Sequence, residues 1–224
     1  MAMQDFSTKS PDYFANERSE IAPLLPTRTS DILEIGCGNG ETMAWLRREY
    51  EIAVAVGIEY VPEMADKARR HFNQVIVGNV EQDALPAGPF DVILALDVLE
   101  HLVDPWAVIR KLHAVLKPGG ALVISLPHVG HYSVALPLLF LDRWTYRSAG
   151  LLDRTHLRFF SRAGAIELAT SSGLHLNRVL PHRPAPASMK LSRSSRWYWR
   201  RVLETLPLPP QFDYQYLVRA DAPE

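Results

Sequence analysis

At 224 residues, 47% of them hydrophobic, with 24 Lys and Arg against 25 Asp and Glu, the chain reads as one ordinary globular domain with a full core. A net charge of -1 argues against a nucleic-acid partner, and the longest apolar run, 134–141, is too short for a bilayer and is broken by Pro137. The start, Met1–Asp12, is polar and lacks a secretory core, and the single cysteine, Cys37, cannot form an internal disulfide, so a reducing cytoplasm is the expected compartment.

Residues 1–30 read as a helical flap jointed at Pro23 and Pro26. Ile32–Ile35 is a short apolar strand running into Gly36-Cys37-Gly38-Asn39-Gly40 and then a helix over Thr42–Tyr50, with Met43, Trp45 and Leu46 on a helical pattern. Glycines at alternate positions let the backbone turn sharply and keep side chains out of a ligand's way. The helix start points its unpaired N–H groups at the same space. The Val-rich run Ala53–Ile58 has the composition of a strand buried on both faces. Pro62 opens a helix reaching Phe72, and Gln74–Val77 and Phe90–Leu96 are the next strands. Asp104 caps and Pro105 opens a helix whose apolar face is Val108, Ile109, Leu112, Val115 and Leu116. Lys117-Pro118-Gly119-Gly120 reads as a stop and a turn before a fifth strand, Ala121–Leu126. Such alternation demands right-handed crossovers and a parallel sheet covered on both faces.

Over about 127–160 the rhythm is lost among Pro, His, Tyr, Trp and Arg, and the expectation is a lid insertion over the C-terminal edge of the sheet. Ser161–Ser172 is a capped helix ended by Gly173, and Leu174–Leu180 is a sixth strand. A basic insertion follows over about 182–210, with a short helix near Ser195–Leu206, before the last strand, Gln215–Arg219. The organisation is therefore a flap, 1–30, and one α/β domain, 31–224.

The pattern acid-x-Gly-x-Gly-x-Gly over Glu34–Gly40 resembles the nucleotide loop of class I S-adenosylmethionine-dependent methyltransferases. The dinucleotide fingerprint G-x-G-x-x-G fits poorly, since its third glycine would fall on Glu41. Four further motifs follow in the family's order: Glu59 at the end of the second strand; Gly78-Asn79-Val80-Glu81; Phe90–Ile93 leading to Asp97-Val98-Leu99-Glu100-His101-Leu102; and Leu116–Gly120. In the family an Asp is commoner where Asn79 stands. The resemblance covers about 31–126. It implies a Rossmann-like, doubly wound sheet of seven strands, mostly parallel with the last antiparallel, and methyl transfer from S-adenosyl-L-methionine. The open-sheet rule puts the site at the strand C-termini. The cofactor set is then Glu34, Gly36, Cys37, Gly38, Gly40, Glu59, Tyr60, Asn79, Val80, Leu96 and Asp97. Within it Glu59 accepts the ribose hydroxyls, Tyr60 stacks on the adenine, and Asn79 and Val80 meet the adenine edge.

Leu152–Ser161 resembles a segment of bacterial methyltransferases from cell-envelope sugar and small-metabolite pathways. That implies O-methylation of a small metabolite or a sugar-bearing, anionic intermediate. N- and C-methylation stay open, because the motifs read the cofactor and not the acceptor. A nicotinamide oxidoreductase, which wants a glycine at 41, and a non-catalytic cofactor-binding scaffold, which would be expected to lose the loop glycines or Glu59, are the rival readings.

Methyl transfer is an in-line displacement that needs a base only where the acceptor must lose a proton. Four histidines are candidates, His128 and His156 first, then His101 and His131, each also readable as a packing, capping or plain loop histidine. His156, with Asp153 close by, reads as an Asp-oriented base. Cys37 reads as a small spacer rather than a nucleophile. Glu100-His101 and His128-x-x-His131 supply possible metal donors, but no H-E-x-x-H is present and no metal is expected. Between Leu168 and Leu203 there is no acidic residue, while Arg178, Arg183, Lys190, Arg193, Arg196, Arg200 and Arg201 mix with Trp197, Tyr198 and Trp199. That stretch reads as a clamp for an anionic acceptor, a contact with an anionic membrane surface or a solvated helix. Val134–Leu141 reads as a substrate lid or an oligomer contact; the sequence leaves the oligomeric state open.

Overall fold

The computed structural model describes residues 9, 11–183 and 209–224. Its strands are β1 (Asp31–Ile35), β2 (Val54–Glu59), β3 (Gln74–Val77), β4 (Phe90–Leu96), β5 (Leu116–Pro127), β6 (His175–His182) and β7 (Gln215–Asp221). Its helices are α1 (Glu41–Glu49), α2 (Pro62–Ala68), α3 (Pro105–His113), α4 (Tyr132–Leu141) and α5 (Arg162–Thr170). The described part of the expected flap contains two 3-10 turns, Pro11–Phe14 and Ser19–Leu24.

The strands hydrogen-bond in the order β3-β2-β1-β4-β5-β7-β6. β1 to β5 run parallel, and β7, the last strand, inserts antiparallel between β5 and β6. Alternation along each strand sends side chains to two separate cores. Leu33, Ile35, Ile93 and Ile124 face Ile109 and Leu112 of α3 and Leu168 of α5. Ile32, Leu94 and Val123 face Met43 and Leu46 of α1, Ala65 of α2, and Ile21 and Leu24 of the flap. The larger of these side chains are wholly buried, each worth about 1.5–3 kcal/mol. Strand order reverses between β1 and β4, which opens a crevice beyond their C-terminal ends.

Three readings of the sequence need correcting. Lys117–Gly120 does not stop the chain: β5 already begins at Leu116, with a register shift opposite Phe90–Val92, and Lys117 pairs with Asp31 (2.7 Å) and Asp91 (2.8 Å). α2 ends at Ala68 rather than at Phe72. The stretch 127–160 holds a regular helix, α4, which the sequence does not signal because it is apolar on every side and Pro137 sits inside it. The expected helix near Ser195–Leu206 lies outside the described residues. Among the described residues, no helix is long and apolar enough to cross a membrane.

Candidate active site

A cavity of about 850 Å3 lies in the crevice, within the size range of small-molecule sites. β1 delivers Glu34 to its floor and then turns through Gly36 (φ 65°) and Gly38 (φ 54°). These are left-handed conformations that suit glycine. The loop also lies against neighbouring chain: a Cβ on Gly36 would stand 2.3 Å from Val98 Cγ2, and one on Gly38 2.7 Å from the Phe14 carbonyl oxygen. Cys37 lines the cavity, but burial, with Glu34 and Glu59 nearby, pushes its thiol well up, so it offers no thiolate. Gly40 is set back from the cavity: it is the N-cap of α1 (φ 87°), facing Ala68 and His71.

Glu59, at the end of β2, is fixed from both sides. Its Oε2 accepts from Gly38 N–H (2.8 Å) and its Oε1 from Val61 N–H (2.9 Å). Burial raises its carboxyl, while the N–H groups of Val61, Gly38 and Tyr60 act the other way, and the side chain lines the cavity. Burial, with Glu59 beside it, pushes the Glu34 carboxyl up to about 8. Glu34 Oε2 is buried without a hydrogen-bond partner. An acid held this way suits a cationic guest, which would offset the penalty of burying its charge. Tyr60, Asn79, Val80 and Leu96 line the cavity. Asn79 is partly engaged, since its side-chain oxygen accepts from Glu81 N–H (2.9 Å) and shapes that corner.

Asp97 also lines the cavity, from a left-handed backbone conformation (φ 56°). Its carboxylate accepts from Ser125 Oγ (2.7 Å), Gln215 Nε2 (2.8 Å) and Arg18 Nη1. Burial opposes its ionisation, but Arg18 and these hydrogen bonds hold its carboxyl below the usual range. Asp97 is thus a joint between β4, β5, β7 and the flap, rather than a group left over for a ligand.

The candidate bases separate. His128 does not line the cavity: its Nδ1 lies 3.1 Å from the Asp213 carbonyl and its ring packs edge-on to Tyr216 at 4.9 Å. The start of the lid stretch is tied there to the chain leading into β7, with His128 N–H also donating to the Tyr214 carbonyl (2.9 Å), which the sequence could not show. His131 is equally structural, capping α4 through Ser133 N–H. His156 and His101 do line the cavity, edge to face at 4.8 Å. Asp153 does not orient His156, as its carboxylate is taken by Lys9 and by Thr155 N–H and Oγ1. Instead, His156 Nδ1 lies 3.2 Å from the Leu151 carbonyl. A carbonyl only accepts, so Nδ1 carries the proton and Nε2 presents a lone pair. His101 is fixed likewise, with Nδ1 3.1 Å from the Thr155 carbonyl and Nε2 3.2 Å from Tyr13 Oη. Burial, then His156, lowers His101 to about 4, and burial lowers His156, so both rings are neutral near pH 7.

Tyr13, Phe14 and Arg18 of the flap are among the cavity residues that carried no assigned role in the sequence reading, and Glu100, read there only as a possible metal donor, is another that the cavity brings forward. The flap residues sit in a segment without periodicity. Glu100 stands in a quoted motif, and only its buried position (1% exposed) marks it out.

A methyltransferase-domain family profile matches residues 9–178. The chain is 30% identical over 171 residues to the ubiquinone biosynthesis O-methyltransferase of Xanthomonas axonopodis pv. citri, covering 69% of this chain and 70% of that one. It is 35% identical over 114 residues to the 27-O-demethylrifamycin SV methyltransferase of Amycolatopsis mediterranei, covering 47% and 42%. An S-adenosylmethionine-dependent methyltransferase from Mesorhizobium loti shares the fold, with a TM-score of 0.64 and 20% identity over 95% of this chain and 100% of that one. With a loop shaped for bare backbone, a carboxylate at each of the first two strand ends and these relatives, the oxidoreductase and scaffold readings give way: the chain belongs to the methyltransferase-domain family and is an S-adenosylmethionine-dependent methyltransferase.

Proposed function

We propose that the protein O-methylates a small hydroxylated acceptor that enters between flap and lid. The observation that carries this is His156: a buried, neutral imidazole on the cavity wall, held by the Leu151 carbonyl so that its Nε2 lone pair is available. The relatives named as O-methyltransferases support the choice of oxygen. The bound cofactor supplies a methyl on a sulfonium, which passes to the acceptor oxygen while sulfur keeps the electrons of the broken bond as a thioether. His156 Nε2 takes the hydroxyl proton, and the Tyr13–His101 pair forms the wall beside it. In the same reading Glu59 accepts the ribose hydroxyls, Glu34 balances the cofactor's positive charge, and the corner at Asn79 and Val80 meets the adenine. We propose a cytoplasmic setting on the single buried thiol, and an anionic, sugar-linked acceptor as the first class to screen. Of the basic residues that prompt that class, Lys190, Arg193, Arg196, Arg200 and Arg201 lie outside the described residues, Arg178 donates to the Pro23 carbonyl (3.1 Å) and Arg183 to Asp213 Oδ1 (2.6 Å).

Two variants test the assignment. His156→Ala is expected to lower kcat by about 10²-fold or more while S-adenosylhomocysteine affinity, measured by calorimetry, stays at the wild-type value. Full activity on an acceptor from a screen of hydroxylated and anionic sugars would make His156 a packing residue. Glu59→Ala is expected to weaken S-adenosylhomocysteine binding by about 1–3 kcal/mol, through stranded ribose hydroxyls and a loop whose Gly38 N–H has lost its acceptor. Unchanged affinity would remove Glu59 from the site.

A further inference from the structure

We propose that Glu100, His101 and His156 form a binding site for one divalent transition-metal ion in the wall of the cavity. Each offers one ligand atom, and the three atoms lie within 4.8 Å of one another. Two ligands on a tetrahedral ion at about 2.1 Å stand about 3.4 Å apart, so side-chain movements of about 1 Å close the site. Two of the residues neighbour each other on the 3-10 turn after β4, Leu99–His101, and the third comes from the lid. Main-chain bonds clip those segments together: Leu157 N–H (2.9 Å) and Arg158 N–H (3.0 Å) both donate to the Glu100 carbonyl.

Two independent features point to a cation. First, Glu100 is 1% exposed and its Oε2 has no hydrogen-bond partner. Its neighbour His156 Nε2 stands 4.0 Å from Oε1, too far for a hydrogen bond. Arg18, the guanidinium of this region, is engaged by Glu20 and Asp97. A carboxylate buried in this way is expensive unless something positive completes it. Second, both imidazoles are anchored through Nδ1 to main-chain carbonyls, of Thr155 and Leu151. Metal-bound histidines are oriented by that same arrangement, which fixes the tautomer and aims Nε2 at the ion. At His101 the Tyr13 hydroxyl, now 3.2 Å from Nε2, would yield that lone pair.

Two imidazoles and a carboxylate suit ions such as Zn2+, Co2+, Mn2+ or Fe2+, and the open cavity side leaves positions for an acceptor's oxygens. The ion's role in catalysis rests on the O-methylation reading above; its binding does not. An acceptor hydroxyl on the ion would release its proton to water at a lower pH than a free one. A lone pair of that oxygen would become the new bond to the methyl carbon, and the cofactor's sulfur would keep the electrons of the bond that breaks. With the ion bound, His156 Nε2 serves as a ligand, and the hydroxyl proton that it takes in the metal-free site leaves to water instead.

The test is a titration of chelator-stripped full-length protein with Co2+, followed by calorimetry and by the visible ligand-field absorption. One ion per chain is expected, with affinity falling at least about tenfold in Glu100→Gln and in His156→Gln, since even the outer-shell partners of metal sites are worth 10–100-fold. S-adenosylhomocysteine binding is measured on each variant, and a variant that retains it is folded. Two variants are used so that the loss of one fold still leaves a reading. Wild-type protein that takes up no Co2+, or takes it no more tightly than a folded variant, overturns the site and leaves Glu100 as a neutral, protonated acid. Failure of the wild type to bind S-adenosylhomocysteine would instead strike at the cofactor assignment and leave the cation result standing.

Discussion

Gly38→Val is expected to abolish S-adenosylhomocysteine binding, the largest single effect on the site. Two causes act together. The backbone stands at φ 54°, in a left-handed region that costs a residue with a Cβ about 1–2 kcal/mol, and more for a β-branched one. A Cβ there would also stand 2.7 Å from the Phe14 carbonyl oxygen, which is main chain and cannot rotate away. Loop and flap must part, and the loop is tied to Glu59 through the Gly38 N–H. Gly119→Val separates the two causes. Gly119 has a similar φ, 69°, but nothing lies within 4 Å of a Cβ there, and it sits near the N-terminal end of β5 and does not line the cavity. That variant should lose some stability and keep full affinity by calorimetry. A folded Gly38→Val protein that still binds would refute the loop's role.

The sequence reading and the structure agree best where a segment's own composition decides its fate. β2 and β4 are apolar runs because both their faces are covered, and they appear within a residue of the expected bounds. Asp104 and Ser161 cap α3 and α5 through side-chain oxygens, as their sequence context suggests. The glycine loop and Glu59 were legible because a cofactor held by bare backbone leaves few choices of residue. What escaped is set by contacts distant in sequence. Tyr13 meets His101 and Arg18 meets Asp97 across 88 and 79 positions, and nothing in the local pattern of the flap records those partners. The histidines show the same limit. His128 and His156 are equally polar residues of one irregular stretch, yet one is tied to the chain leading into β7 and the other lines the cavity. α4 fails for a different reason: a helix apolar all round has no periodic signal to read.

Arg18→Ala is expected to be the most destabilising single change, at about 3 kcal/mol or more. Arg18 is almost fully buried and serves two carboxylates, Glu20 within the flap and Asp97 on the sheet. Its Nη2 also reaches Gln215 Oε1 at 3.4 Å. Removing it takes the Arg18 guanidinium away from the buried Glu20, whereas the Asp97 side chain, about a third exposed (35%), keeps Ser125 and Gln215 and suffers less. For a protein of this size the melting temperature should fall by roughly 6–12 °C. The dependence on pH identifies the cause. Burial opposes ionisation of both acids, but Arg18 wins and holds each carboxyl below its ordinary value. An acid whose folded pKa is depressed contributes stability above its unfolded pKa and loses it as pH falls through the folded one. The gap between wild type and Arg18→Ala should therefore be full at pH 7 and narrow below about pH 4, where both acids take up protons. Thermal melts across that range check it, and Arg18→Ala with Glu20→Gln should recover part of the loss at neutral pH. A gap that stays constant with pH would mean that Arg18 matters for its packing rather than its charge. S-adenosylhomocysteine affinity should fall in the same variant, because Tyr13 and Phe14, which cover the cavity, lie on the segment that Arg18 ties to the sheet.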